Sequence, residues 1–95
     1  MKFCVTWNIP QEKLAPTLKT FTAMTPKQRV DIGPGVRLVG RWHNVTAKTG
    51  VAIFETDDLM ALQRYATLWN PHMDLTVEPV LDDEETVEVY RHLTG

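Results

Sequence analysis

An α+β domain built on a four-stranded antiparallel sheet is the fold class that this 95-residue sequence predicts. Three observations predict it. Apolar residues alternate with polar ones over short runs such as Lys2–Asn8 and Met73–Val80, the period of a half-buried strand. Two helical stripes lie between such runs: Leu14, Leu18 and Phe21, then Leu59, Leu62, Ala66 and Trp69. The resulting order is strand, helix, strand, strand, helix, strand, followed by a last helix. Two successive β-α-β units of this kind make a ferredoxin-like plan, with both helices on one face of the sheet.

Each element has a local cause. In the first strand Phe3, Val5 and Trp7 share one face, and Ile9-Pro10 ends it. The first helix is expected over Gln11–Ala23, with Pro16 tolerable only near its start, and Thr25-Pro26 stops it. Lys27–Gly35 reads as a loop that closes on the turn Gly33-Pro34-Gly35. Val36–Asn44 is the second strand, Thr46–Gly50 a hairpin loop and Val51–Glu55 the third strand. Asp57 is the expected N-cap of the second helix, which Asn70-Pro71 terminates. Met73–Val80 is the fourth strand. Asp82 with Glu85 predicts a capping box at the start of a helix running to Leu93, with Arg91 and His92 suited to its C-terminal end.

Composition narrows the function classes. With 43% apolar and 23% charged residues, the chain has an ordinary globular make-up, expected to form a single ferredoxin-like domain over residues 1–95. A net charge of −2 supplies no basic field for nucleic acid or anionic lipid. Cys4 is the only cysteine, so no disulfide framework forms within the chain and a reducing compartment fits. No segment approaches a membrane span, and the first apolar run is too short for a secretory signal. A cytoplasmic protein is the expectation.

Strict alternation assigns the two faces of the sheet. Phe3, Val5, Trp7, Leu38, Trp42, Leu75 and Val77 fall under the helices. Cys4, Thr6, Asn8, Val39, Arg41, His43, Asp74, Thr76 and Glu78 fall on the other side. Val51–Glu55 is apolar on both faces, and its side assignment stays open. A mixed second face either lies open to water or stacks on the same face of another chain, enclosing a semi-polar barrel. A homodimer is the expected partner state.

Several stretches carry a resemblance. They are Met1–Pro10, Gly40-Arg41-Trp42-His43 with its Gly-containing hairpin, Phe54-Glu55-Thr56-Asp57-Asp58, and Pro79-Val80-Leu81-Asp82-Asp83-Glu84-Glu85. Together they resemble a family of small bacterial proteins, domain-of-unknown-function family 3303. The resemblance implies a ferredoxin-like fold of the dimeric α+β-barrel superfamily and supplies no established activity. That superfamily includes cofactor-free monooxygenases, haem proteins and isomerases, and none of their catalytic residues carries over to this sequence.

Candidate chemistry centres on the second strand. Arg41 and His43 pair a permanent cation with a base that titrates near neutrality, a combination that binds anions or moves protons. Trp42 and Trp69 are candidate walls for a flat ligand, although a tryptophan in an apolar stripe usually packs in a core. Thr6 and Glu78, on the same predicted face as Arg41, complete the candidate ligand-binding set. Glu55 is a strand-end carboxylate, a candidate base or an ion-pair partner of Arg37 or Arg41. Cys4 with His43 as a nucleophile–base pair lacks any positioning elbow. His72, Asp74 and His92 are scattered, and Asp82-Asp83-Glu84-Glu85 lacks the alternating oxygens of a calcium loop, so no metal is expected. Gly33-Pro34-Gly35 leads into a strand without a phosphate-loop lysine, and no cofactor is expected. The sequence therefore points to a small-molecule site, a candidate cofactor-independent enzyme. The alternative is a non-catalytic dimerisation or regulatory interaction module.

Overall fold

A computed structural model describes residues 1–95. Strand β1 (Lys2–Asn8) leads through a 3-10 turn at Gln11–Lys13 into α1 (Leu14–Ala23) and the short α2 (Pro26–Val30). Strands β2 (Val36–Asn44) and β3 (Thr49–Thr56) form a hairpin. Helix α3 (Leu59–Trp69), strand β4 (Asp74–Val80) and helix α4 (Asp83–Thr94) complete the chain. The sheet order is β2-β3-β1-β4, and all three pairings are antiparallel. This is the ferredoxin-like βαββαβ arrangement with an additional C-terminal helix.

Local chemistry explains the element boundaries. Pro16 falls in the first turn of α1, where its missing N–H leaves no hydrogen bond unmade. The segment expected as a loop after Thr25 contains α2, because Thr25 and Gln28 form a complete capping box around Pro26. The cap of α3 is Asp58 rather than Asp57: its carboxylate accepts from the Ala61 backbone N–H at 3.1 Å. Thr56 Oγ1 holds the preceding turn by accepting from Asp58 N at 2.9 Å and donating to Gly35 O at 2.7 Å. The expected capping box of α4 is present in both directions between Asp82 and Glu85.

The core lies between the sheet and α1 and α3. Phe3, Val5, Ala52, Phe54, Ile32 and Leu62 form its buried cluster, with Leu62 of α3 fully enclosed. This settles the third strand: Ala52 and Phe54 face the helices, and Val51 and Ile53 face away.

Strand β2 departs from simple alternation. Leu38 pairs with Phe54 and Gly40 with the very next residue back, Ile53, so Val39 is an unpaired extra residue, a β-bulge. A bulge on an edge strand is the usual place for such an insertion. Every side chain after it changes sides. Arg41 pairs with buried Ala52 and His43 with Gly50, which puts both on the helix face. Trp42 pairs with Val51 on the open face and is 59% exposed. The alternation-based assignment of Trp42 to the core, with Arg41 and His43 on the opposite face, is therefore reversed.

Helix α4 has no buried residue, and Val87, Val89, Tyr90 and Leu93 are all exposed. Its 12 residues, about 18 Å of helix, extend away from the body and stretch the molecule to 52 × 29 × 20 Å.

Candidate functional site

The bulge at Val39 delivers two basic side chains into an apolar space between the sheet and the helices. The cavity has a volume of about 60 Å³. Its walls are mostly aromatic and aliphatic, with Trp7, Phe54 and Leu75 from the sheet, Phe21 from α1 and Tyr65 and Trp69 from α3. Only Arg41, His43 and Thr17 interrupt the apolar lining apart from the Tyr65 hydroxyl, and no carboxylate lines it.

Backbone geometry makes room for these rings. Gly50 lies between Trp7 and His43 in the sheet register. The Trp7 indole lies across it: a Cβ at position 50 would stand 2.0 Å from Trp7 Cζ2. No residue with a side chain fits there unless the indole moves. His43 then meets Trp7 edge-on, with ring centroids 5.7 Å apart, and Phe21 at 5.0 Å. Phe21 continues to Trp69 at 6.3 Å, so the three helix-face aromatics and His43 form one contiguous cluster.

Arg41 is held from three directions. Its Nη2 donates to the Arg29 carbonyl at 3.0 Å and to the Tyr65 hydroxyl at 3.1 Å. Its guanidinium carbon stands 5.3 Å from the Phe21 ring centroid, as does that of Arg29. Arg29 is itself anchored on the end of α1 through the carbonyls of Phe21 and Thr22. Neither Arg29 nor Arg41 has a carboxylate partner. Partial burial, and secondarily the Arg41 charge, lower the His43 pKa below its ordinary 6.5. Both effects favour the neutral imidazole, able to accept a proton, beside a fixed cation.

The candidate residues divide between the two faces of the sheet. Arg41, His43 and Trp69 line the cavity. Trp42 and Thr6 border a second groove with Asn44 and Thr49, at the end of the sheet that His43 and Trp7 also reach. Glu78 is on the open face, opposite Cys4 on β1. Glu55 is also there, bonded to Arg37 at 2.9 Å and paired with Lys2 at 3.2 Å; first the Arg37 and then the Lys2 hydrogen bond lower its pKa. As an ion-pair residue outside the cavity, Glu55 is not placed to serve as a base there. His72 packs on Trp69, and no group of histidine, cysteine and carboxylate residues is arranged to hold a metal ion. No helix is long and apolar enough to cross a membrane.

Two cavity residues, Tyr65 and Thr17, escape a reading based on apolar periodicity, whereas Phe21 belongs to the predicted stripe of the first helix. Thr17 was detectable in principle. It sits with Leu14, Leu18 and Phe21 at the i, i+3, i+4, i+7 positions of one face, a polar residue within an apolar stripe.

Fold and cavity together define a small ferredoxin-like α+β protein with a cationic, aromatic-walled pocket beneath its helices. A family model, "Domain of unknown function (DUF3303)", matches residues 1–94. The chain belongs to that family. No curated protein matches it.

Proposed function

We propose that this protein is a homodimer that binds a small organic molecule in the cavity between its sheet and α1 and α3. The observation that carries this reading is the placement of Arg41 and His43 at the edge of an otherwise apolar, aromatic-walled pocket. Ligand pockets have this make-up, with mostly apolar walls and a few convergent polar groups that fix orientation. A cation without a counter-charge beside a neutral imidazole favours a ligand with an acidic group. The same pair suits cofactor-independent acid–base chemistry, in which His43 takes a proton from the bound molecule and Arg41 stabilises the charge left behind.

Surface area supports the dimer. The isolated chain exposes 6662 Å² at a mass of 10.9 kDa, against roughly 5,600 Å² for a compact monomer of that mass. Its radius of gyration of 15.4 Å likewise exceeds the approximately 12–13 Å of a compact chain. The surplus of roughly 1,100 Å² exceeds the roughly 800 Å² that one side of an ordinary protein interface buries. Trp42, Val51, Ile53 and Cys4 give the open sheet face an apolar strip, and Val87, Tyr90 and Leu93 give α4 another. A second copy of the chain covers both, sheet face on sheet face, with each α4 lying along the other protomer.

Two-dimensional NMR with small aromatic probes tests the ligand reading. Resonances of Thr17, Phe21 and Trp69 are expected to shift in the wild type and to lose that response in Arg41→Ala and His43→Ala. The second reading is a non-catalytic dimerisation module, favoured by the same surplus surface. It prevails if no probe shifts these resonances and the two substitutions change only the monomer–dimer balance in sedimentation velocity.

A further inference from the structure

Thr17 has an unmet hydrogen bond. Its side-chain oxygen is buried, the residue is 2% exposed, and no partner lies within reach. The other two threonines of α1 are exposed and bond within the helix: Thr20 donates to Pro16 O at 3.1 Å and Thr22 to Leu18 O at 2.7 Å. Thr17 makes no such bond, and it lines the cavity. Buried hydroxyls are almost always satisfied, so the partner of this one belongs to something the cavity receives.

The opposite requirement stands at the mouth. Arg41 spends only Nη2 on the protein, leaving Nε and Nη1 for another acceptor, and no carboxylate lines the cavity. Phe21 connects the two. It lies one helical turn after Thr17, about 6 Å along the axis, and touches both Arg41 and His43. The space between is walled by aromatic rings, and its 60 Å³ of room for water centres takes roughly four to six waters, whose bulk at about 30 Å³ each is together that of one substituted ring.

On this basis, and resting on the small-molecule reading above, we infer the chemical class of the ligand. It is a single-ring aromatic acid with a hydroxyl on the ring carbon opposite the acid group. The carboxylate sits at the mouth on Arg41 and beside His43, the ring lies among Trp7, Phe21 and Trp69, and the hydroxyl pairs with Thr17 Oγ1. A para-substituted ring carries its two polar groups at opposite ends, one for the buried Thr17 and one for the partly exposed Arg41, whereas an acid without the hydroxyl leaves Thr17 unpaired.

Isothermal titration of the full chain with 4-hydroxybenzoate, benzoate and phenol tests this. Wild type is expected to bind 4-hydroxybenzoate about tenfold more tightly than benzoate, the worth of one buried hydrogen bond. Thr17→Val, nearly the same size and shape, is expected to erase that preference while leaving benzoate affinity unchanged. Thr17→Ser retains the preference, which separates the hydroxyl from packing. Arg41→Gln weakens both acids and leaves phenol unaffected. NMR spectra of each variant confirm the fold. If benzoate and phenol shift the cavity resonances but the two acids bind equally, or Thr17→Val keeps the preference, the inference is overturned and the small-molecule reading survives. If none of the three shifts those resonances, both fail.

Discussion

The Tyr65 hydroxyl accepts a hydrogen bond from Arg41 Nη2 at 3.1 Å, tying helix α3 to edge strand β2 across the mouth of the cavity. The same nitrogen also donates to the Arg29 carbonyl, so the guanidinium has a second tether. Tyr65→Phe removes one acceptor and leaves the other. Benzoate affinity is expected to fall only about threefold, within the range of one partly exposed hydrogen bond. Isothermal titration of the variant checks this, and a loss as large as that of Arg41→Gln would contradict the two-tether arrangement.

His43 predicts a pH dependence whose sign is fixed by the direction of its shift. Its pKa is lowered from 6.5 in the folded protein, so the unfolded chain takes the proton first as pH falls. His43 therefore leaves stability unchanged well above pH 6.5, reduces it as pH falls from there towards the lower folded value, and changes it no further beneath that value. Arg41 on its own strand and Arg29, across the Phe21 ring, are the charges on this side, and no carboxylate lines the cavity to offset them. An aromatic acid binds more tightly as pH falls through the titration of folded His43, because the anion favours imidazolium. NMR titration of the His43 ring is expected to give a value below 6.5 that rises in Arg41→Gln and rises again on adding benzoate.

Gly50→Ala tests the packing of the sheet against the cavity. The added methyl would overlap the Trp7 ring at 2.0 Å, so the indole must swing away from His43. A destabilisation of about 1–3 kcal/mol is expected from this overpacking, read by thermal unfolding, together with a changed His43 chemical shift. Leu62→Ala probes the core itself. The residue is fully buried in the central cluster, and its truncation is expected to cost about 3 kcal/mol and lower Tm by more than about 10 °C.

The open face predicts the behaviour of the assembly. Ile53→Glu places a charge at the middle of the exposed sheet, beside Cys4, and Leu93→Glu does so on the apolar side of α4. Each is expected to shift sedimentation of the protein from dimer towards monomer while leaving far-ultraviolet circular dichroism unchanged. Arg37→Ala, which breaks an exposed pair with Glu55, serves as the control and is expected to leave the assembly intact.

The strands and helices were legible in the sequence because their apolar periods are clean and their caps are chemically explicit, as at Asp82 and Glu85. The site was legible only by residue type. Arg41, His43 and Trp69 stand out as candidates, but the face they occupy depends on Val39, and a bulge leaves no mark in an alternating pattern when the extra residue is itself a valine. Gly40, adjacent to it, was the available hint. Helix α2 was hidden for a different reason: five residues give too short a window for a helical stripe, although Thr25-Pro26 with Gln28 spells its cap. Thr17 required knowledge of its neighbours, since only the folded helix shows that its hydroxyl has no partner.

The distribution of the three tryptophans has an optical consequence. Trp7 and Trp69 line the cavity, whereas Trp42 lies on the opposite side of the sheet, its ring folded over Gly40. Indole emission responds to the polarity around it, so occupancy beneath the helices and contact across the open face address different chromophores in one polypeptide. Replacing Trp42 by Phe leaves an intrinsic fluorophore set that reports the cavity alone. Replacing Trp7 and Trp69 leaves a single emitter on the face where a second copy is proposed to sit. Ligand uptake and association are thereby separable in the same cuvette, without a dye or label.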